Sequence, residues 1–295
     1  MTFDNSNRLA AEIGALAKEA MQRLSTGSAA YRLARRRAVC PIDYMRYAEF
    51  EALLRVAPLR DGITVLDIGS PQWLTLAMAK RHPGARFTYI NIIDSELDPC
   101  REVADALRLM NIRYLKEDAR SMSFDAATFD LTWSISVIEH IFPEQGGDVQ
   151  AIIEITRVMK PQGQLYLTVP CKSKRKVVYT DGFGYGQSGS GRNFFAREYD
   201  RLQFSELIFD SGCEVVNFSL ICEKSGLLAV DNMEWGQGHG KLFGERLIKL
   251  RRYPERLLSM SFDQALAQRY LVLSSSSDER MVNIFAAVRP LCAAR

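Results

Sequence analysis

Apolar positions at Leu9, Ile13, Leu16, Ala20 and Leu24 fall three or four residues apart, which lines one side of an α-helix, and Gly27 follows as its stop. The spacing predicts a packing helix over 7–24. A second helix is predicted from Pro41, a residue tolerated in a first turn, through Tyr44, Tyr47, Phe50 and Leu54 to the break at Pro58. Beyond Asp61 the period changes. β-Rich runs at 63–68, 86–93, 112–116, 129–135 and 164–169 alternate with helical ones at 73–80, 96–110 and 149–159. Repeated strand-then-helix units need crossover connections, so the pattern predicts an α/β fold: a parallel sheet covered by helices on both faces.

The alternation stops at Pro170. Four basic residues from Lys172 to Lys176 lead into Gly182, Gly184, Gly186, Gly189 and Gly191, and neither period is present; this predicts a long, lid-like loop at 171–195. A helix at 196–209 and strands at 214–221 and 280–288 follow. The last two strands are separated by an insertion at 223–279 that holds Trp235, His239 and a basic stretch from Arg246 to Arg256. A specificity subdomain and a homo-oligomer contact are the two roles open to it. The predicted organisation is an N-terminal helical extension at 1–60 and a main domain at 61–295.

Composition narrows the partners. With 47% hydrophobic and 25% charged residues, the 295-residue chain can fill a substantial core. The net charge of +3 is too small for a histone-like nucleic-acid binder. The surplus sits in residues 1–60, which carry ten basic and six acidic groups against 28 and 29 in the rest. Arg32, Arg35, Arg36 and Arg37 therefore read as a solvated helical face rather than a nucleic-acid surface. Six cysteines without a C-x-x-C pair and three histidines predict neither a metal site nor a disulfide framework. No apolar run approaches the roughly 18 residues that span a membrane, and the first residues lack a secretory pattern, so the expected location is cytoplasmic.

The candidate chemistry begins at Val65-Leu-Asp-Ile-Gly-Ser-Pro71, a hydrophobic strand ending in an acid and a glycine just before a helix. In open parallel sheets this first turn is where ligand meets backbone, and Gly69 permits the approach. The three glycines of a dinucleotide fingerprint are absent, and so is the G-K-[ST] of a P-loop.

Further along lie Glu117-Asp118-Ala119, then Phe129-Asp130-Leu-Thr-Trp-Ser134-Ile135 leading into Glu139-His140, then Arg157-Val-Met-Lys-Pro161-Gln-Gly163. With the first motif, and in this order, these segments resemble the class I S-adenosylmethionine-dependent methyltransferases of the small-molecule type, over roughly 60–222 and 280–290. The resemblance implies a Rossmann-like, seven-stranded, mostly parallel sheet and S-adenosylmethionine as methyl donor. Carried onto this chain, it implies that Asp67, Gly69 and Ser70 border the methionine portion and that Asp118 and Ala119 meet the adenine. Ser134 and Ile135 would line the donor pocket.

Two departures stand out. Ser70-Pro71-Gln72-Trp73 replaces the further glycines of the family's first motif. At the end of the second strand, where an acid usually holds the ribose, the chain has Asn91, with Asp94 three residues on. Asp94 is the preferred ribose ligand, with Asn91 beside it.

For a hydroxyl acceptor a general base is expected, and His140 is the first candidate because an imidazole titrates near neutral pH. His239 is the second; Asp181 and Tyr185 rank lower. The expected partner is a small-molecule acceptor with an oxygen or nitrogen nucleophile. The alternatives are a methyltransferase-fold binding module without turnover, and an RNA or protein methyltransferase.

Overall fold

A computed structural model describes residues 2–182, 184–185, 187, 191–224, 262–275 and 280–291. Five strands run parallel: β1 (Thr64–Ile68), β2 (Arg86–Asn91), β3 (Ile112–Lys116), β4 (Phe129–Ile135) and β5 (Met159–Pro170). Strands β6 (Lys176–Asp181) and β7 (Arg192–Glu198) pair antiparallel as a separate hairpin. Strand β8 (Cys213–Glu223), the short β9 (Leu271–Ser274) and β10 (Arg280–Pro290) return to the main sheet, whose order is β3-β2-β1-β4-β5-β10-β8-β9. Strand β10 lies antiparallel between β5 and β8. The sheet thus has eight strands where seven were expected; the additional one, β9, is an edge strand contributed by the insertion.

Helices cover both faces, as crossovers require. On one face lie α1 (Asp4–Met21), α2 (Ala29–Val39), α3 (Tyr44–Val56), α4 (Trp73–Arg81) and α5 (Asp94–Ala106), packed on Val65, Trp133, Tyr166 and Phe285. On the other lie α6 (Gly147–Val158) and α7 (Arg201–Asp210), packed on Leu66, Ile68, Leu165 and Leu167. Strands β1 and β4 are buried on both sides, which is why they read as continuous apolar runs rather than alternating ones.

One expectation changes: the β6–β7 hairpin occupies most of the predicted lid-like loop and runs on to Glu198, so the predicted helix at 196–209 begins as strand and α7 starts only at Arg201. Among the described residues of the hairpin's two strands only Val178, Phe194, Ala196 and Arg197 are buried, too few apolar positions to mark a strand in the sequence. The arginine-rich stretch at 32–37 lies on α2, a helix that buries Ala30 and Ala34 one turn apart, leaves Tyr31, Leu33 and Arg37 half-buried and exposes Arg32, Arg35 and Arg36. His239 and most of the insertion lie outside the described residues. No helix among the described residues is long and apolar enough to cross a membrane.

Candidate active site

Because β2 and β4 flank β1 with their helices departing to both sides, a crevice opens at the carboxyl end of β1. It is a cavity of about 1090 Å³. Gly69 forms its floor with φ +58°, a left-handed conformation that would cost a side-chain-bearing residue about 1–2 kcal/mol. A Cβ there would lie 3.6 Å from Val137 Cγ1 and 3.7 Å from the Ile90 carbonyl, so the glycine leaves a gap one methyl wide above the turn. Trp73 does not fill the crevice; as the first residue of α4 it is buried in the core.

Asp67 shapes this turn from below rather than lining the cavity. Its Oδ1 accepts from Ser70 N at 2.9 Å and its Oδ2 from the Thr75 hydroxyl. Burial raises its pKa, opposed by those hydrogen bonds. Ser70 then ties the turn to its neighbours: its Oγ accepts from Ile135 N at 2.9 Å and its carbonyl from the Tyr89 hydroxyl at 2.9 Å. Gly69, Ser70 and Ile135 all line the cavity, whereas Ser134 is buried in the sheet with an unpartnered Oγ.

At the end of β2, Asn91 faces the cavity and Asp94 does not. Asp94 is exposed and pairs with Lys116 on the flank of the sheet. The carboxylate that reaches the cavity is Glu96, from the first turn of α5, whose Oε2 accepts from Asn91 Nδ2 at 2.9 Å. Glu96 was absent from the sequence reading. The signal was its place in the first turn of α5, where a side chain leans back toward the strand end. Asp118 and Ala119 line the cavity beyond β3. Asp118 forks with Arg120, and these hydrogen bonds hold its carboxyl below the usual range.

Two structures outside the sheet wall the crevice. From the N-terminal extension, α2 contributes Leu33 and α3 contributes Tyr44 and Arg46, while Tyr47 is buried in the core. Arg46 pairs with the buried Glu49, whose Oε1 accepts from Ser136 Oγ at 3.0 Å, Thr168 Oγ1 at 2.8 Å and Asn283 Nδ2 at 2.7 Å. One carboxylate thereby ties α3 to β4, β5 and β10.

From the other side the hairpin contributes Val178, Tyr185 and Phe195. His140 stands between the two walls, its ring 5.0 Å from that of Tyr185 and 4.8 Å from that of Phe195. Its Nδ1 lies 2.6 Å from the Phe195 carbonyl; a carbonyl only accepts, so Nδ1 carries the proton and Nε2 is the acceptor. Burial pushes the His140 pKa down to about 4. Burial also pushes the neighbouring Glu139 up to about 8, against the pull of Arg46. Imidazole and carboxyl are therefore both neutral at pH 7.

The sheet order β3-β2-β1-β4-β5-β10-β8, with β10 reversed, and the cavity at its parallel half define a class I methyltransferase fold. Residues 66–167 match the family described as a methyltransferase domain. The ubiquinone biosynthesis O-methyltransferase of Coxiella burnetii is 26% identical over 136 residues, 46% of this chain and 53% of that protein. The chain thus spans about half the length of the curated relatives it matches.

Among solved structures, coclaurine N-methyltransferase bound to N-methylheliamine and SAH superposes with a TM-score of 0.52 at 19% identity, covering 82% of this chain and 71% of that one. The [4+2]-cyclase SpnF superposes with a TM-score of 0.53 at 17% identity, covering 85% and 83%. At these identities the likeness is one of fold, and folds of this kind host different chemistries.

The methyl donor that the domain implies is S-adenosylmethionine, and the residues present fit it. The gap above Gly69 admits close backbone approach, the Asn91–Glu96 pair offers acceptors for hydroxyls, and the volume accommodates a nucleoside together with a second molecule.

Proposed function

We propose that the chain transfers a methyl group from S-adenosylmethionine to an oxygen or nitrogen nucleophile of a small molecule. The observation that carries this reading is the walled crevice: a cavity at the carboxyl ends of β1, β2 and β4, closed by α2 and α3 on one side and the hairpin on the other. The cavity is walled on both sides, which favours a small acceptor over a polymer, and Arg32 and Arg36 of α2 line it beside Leu33.

The donor's sulfonium supplies an electrophilic methyl. The backbone of Gly69 and Ser70 borders its methionine portion, Asn91 and Glu96 accept from the ribose hydroxyls, and Asp118 with Ala119 flanks the adenine. Asp67 holds the turn in shape. Arg46 places a half-buried cation in the wall. On the acceptor side, His140 Nε2 receives a hydrogen bond from the acceptor's hydroxyl or amine and aims the lone pair of the nucleophile. With its pKa pushed down to about 4, His140 orients the nucleophile more than it removes its proton. Tyr185 and Phe195 exclude water beside it. Holding two reactants in line accounts for much of the barrier lowering in such a displacement.

Calorimetry with S-adenosylhomocysteine tests the donor site: saturable binding is expected, and none at millimolar concentration overturns the reading. Labelled-methyl transfer into a broad metabolite extract then separates turnover from binding alone.

A further inference from the structure

The residues 139–144, which carry Glu139 and His140, have no strand partner. They run from a short 3-10 turn (Ile138–His140) toward α6, and the carbonyls of Glu139, Ile141, Pro143 and Glu144 accept from a side chain rather than from a sheet ladder. Buried carbonyls need donors. One side chain supplies most of them. Arg197, on β7 and 4% exposed, donates from Nη1 to the carbonyls of Ile141 at 3.0 Å and Glu139 at 3.3 Å. Its Nη2 reaches the carbonyls of Pro143 and, at 2.7 Å, Glu144, and its Nε also donates to Glu144 at 3.0 Å. Asp148, 3.3 Å from Nε, neutralises the guanidinium and is itself fixed by the Tyr199 hydroxyl at 2.8 Å. Two residues earlier on the same strand, the Phe195 carbonyl takes the His140 Nδ1 proton. A single strand of the hairpin thus holds both the backbone of this segment and the ring it carries.

We propose that Arg197 is a positioning residue of the site: by spanning the carbonyls of Glu139, Ile141, Pro143 and Glu144 it fixes the segment so that Phe195 keeps His140 in the Nδ1–H tautomer, with Nε2 as its acceptor. The inference rests on the reading of His140 as the group that meets the methyl acceptor. Only the planar, five-donor fork of arginine serves so many carbonyls at once. The hairpin is then a template for the site as well as its cover.

The test uses the full chain and nitrogen-15 histidine NMR, with the His140 signals assigned from a His140→Gln variant. The charged and titratable groups around the ring are Arg46 from α3, Arg197 from β7, Glu139 from its own segment and Tyr185 from the hairpin. Both arginines oppose protonation of the imidazole. Wild type should show the Nδ1–H tautomer and titrate near 4. Arg197→Met should give a tautomer mixture and move the titration upward by about one pH unit or more. Arg197→Lys keeps the cation and loses the fork, so it should mix the tautomers with a smaller shift in titration.

Affinity for S-adenosylhomocysteine should stay within about twofold in both variants, because Arg197 does not line the cavity. A folded Arg197→Met with unchanged tautomer and titration overturns the proposal. If that variant does not fold, Arg197→Lys decides: an unchanged tautomer overturns it and a mixture supports it. Absence of S-adenosylhomocysteine binding by wild type would count against the methyl-transfer reading alone, since the NMR result stands without it.

Discussion

Replacing Glu49 by alanine removes the carboxylate on which the α3 wall depends. The side chain is fully buried, pairs with Arg46, and accepts from Ser136, Thr168 and Asn283 at 2.7–3.0 Å. Breaking one side of a buried ion pair costs about 3–5 kcal/mol, and an orphaned neutral donor about 1–3 kcal/mol. These costs overlap within one network and do not add. Without Glu49 the Glu139 carboxyl ionises more readily, and its charge beside Arg46 restores part of the compensation.

The expected net loss for Glu49→Ala is about 3–5 kcal/mol. Glu49→Gln keeps the shape and one accepting oxygen, and should lose about 1–3 kcal/mol. Urea unfolding followed by circular dichroism reads both as midpoint shifts at constant slope. A second readout is electrostatic. Glu49 disfavours the charged form of Glu139, so its removal should lower the Glu139 pKa from about 8. A Glu49→Ala protein within about 1 kcal/mol of wild type, or no less stable than Glu49→Gln, would refute the network as described.

Glu96→Ala should weaken S-adenosylhomocysteine binding by about 10- to 100-fold, the worth of a hydrogen bond to a charged group, whereas Asp94→Ala should stay within about twofold; calorimetry separates them, and the reverse ranking would restore Asp94 as the ribose ligand. Gly69→Ala has room for its methyl but not the backbone preference, so a stability loss of about 1–2 kcal/mol and weaker donor binding are expected from denaturation and calorimetry, and unimpaired binding would contradict the close approach. Stability should depend on pH with two opposite signs. Glu139, raised to about 8 from 4.5, makes its full contribution below 4.5 and loses it as pH rises through 8; His140, lowered to about 4 from 6.5, makes its full contribution above 6.5 and loses it as pH falls through 4. Between 6.5 and 8 the acid acts alone, so Glu139→Gln should remove a fall in stability there, and a slope that survives the substitution would place its origin elsewhere.

The parallel half of the sheet was legible from its β-rich runs: 129–135 coincides with β4, an apolar strand buried almost throughout, and 112–116 with β3, an edge strand only partly buried. The candidate positions that depend only on strand ends, Gly69, Ser70, Asn91 and Ile135, line the cavity for the same reason. Ser134 does not, because consecutive strand residues point to opposite faces. What escaped the sequence is polar and long-range. Glu49 sits on a helix face that looks amphipathic with the glutamate outward, and only the ends of β4, β5 and β10 make it a buried hub. Helix α2 hides its contact stripe in two alanines, and the hairpin turns arginine inward where an apolar residue would have announced a strand. Glu96 was passed over for Asp94 because counting along the chain does not give the direction in which a first-turn side chain leans.

The place of β10 bears on how the molecule is made. The strand that lies between β5 and β8 is later in the sequence than both, and on both edges it completes a ladder that neither neighbour can complete alone. During synthesis β5 and β8 therefore emerge with bare backbone edges and wait for more than fifty further residues before the gap is filled. A nascent chain halted in that interval would hold the parallel strands beside an unzipped seam, with the crevice still lacking Val282 and Asn283, the condition under which chaperones and proteases compete for it.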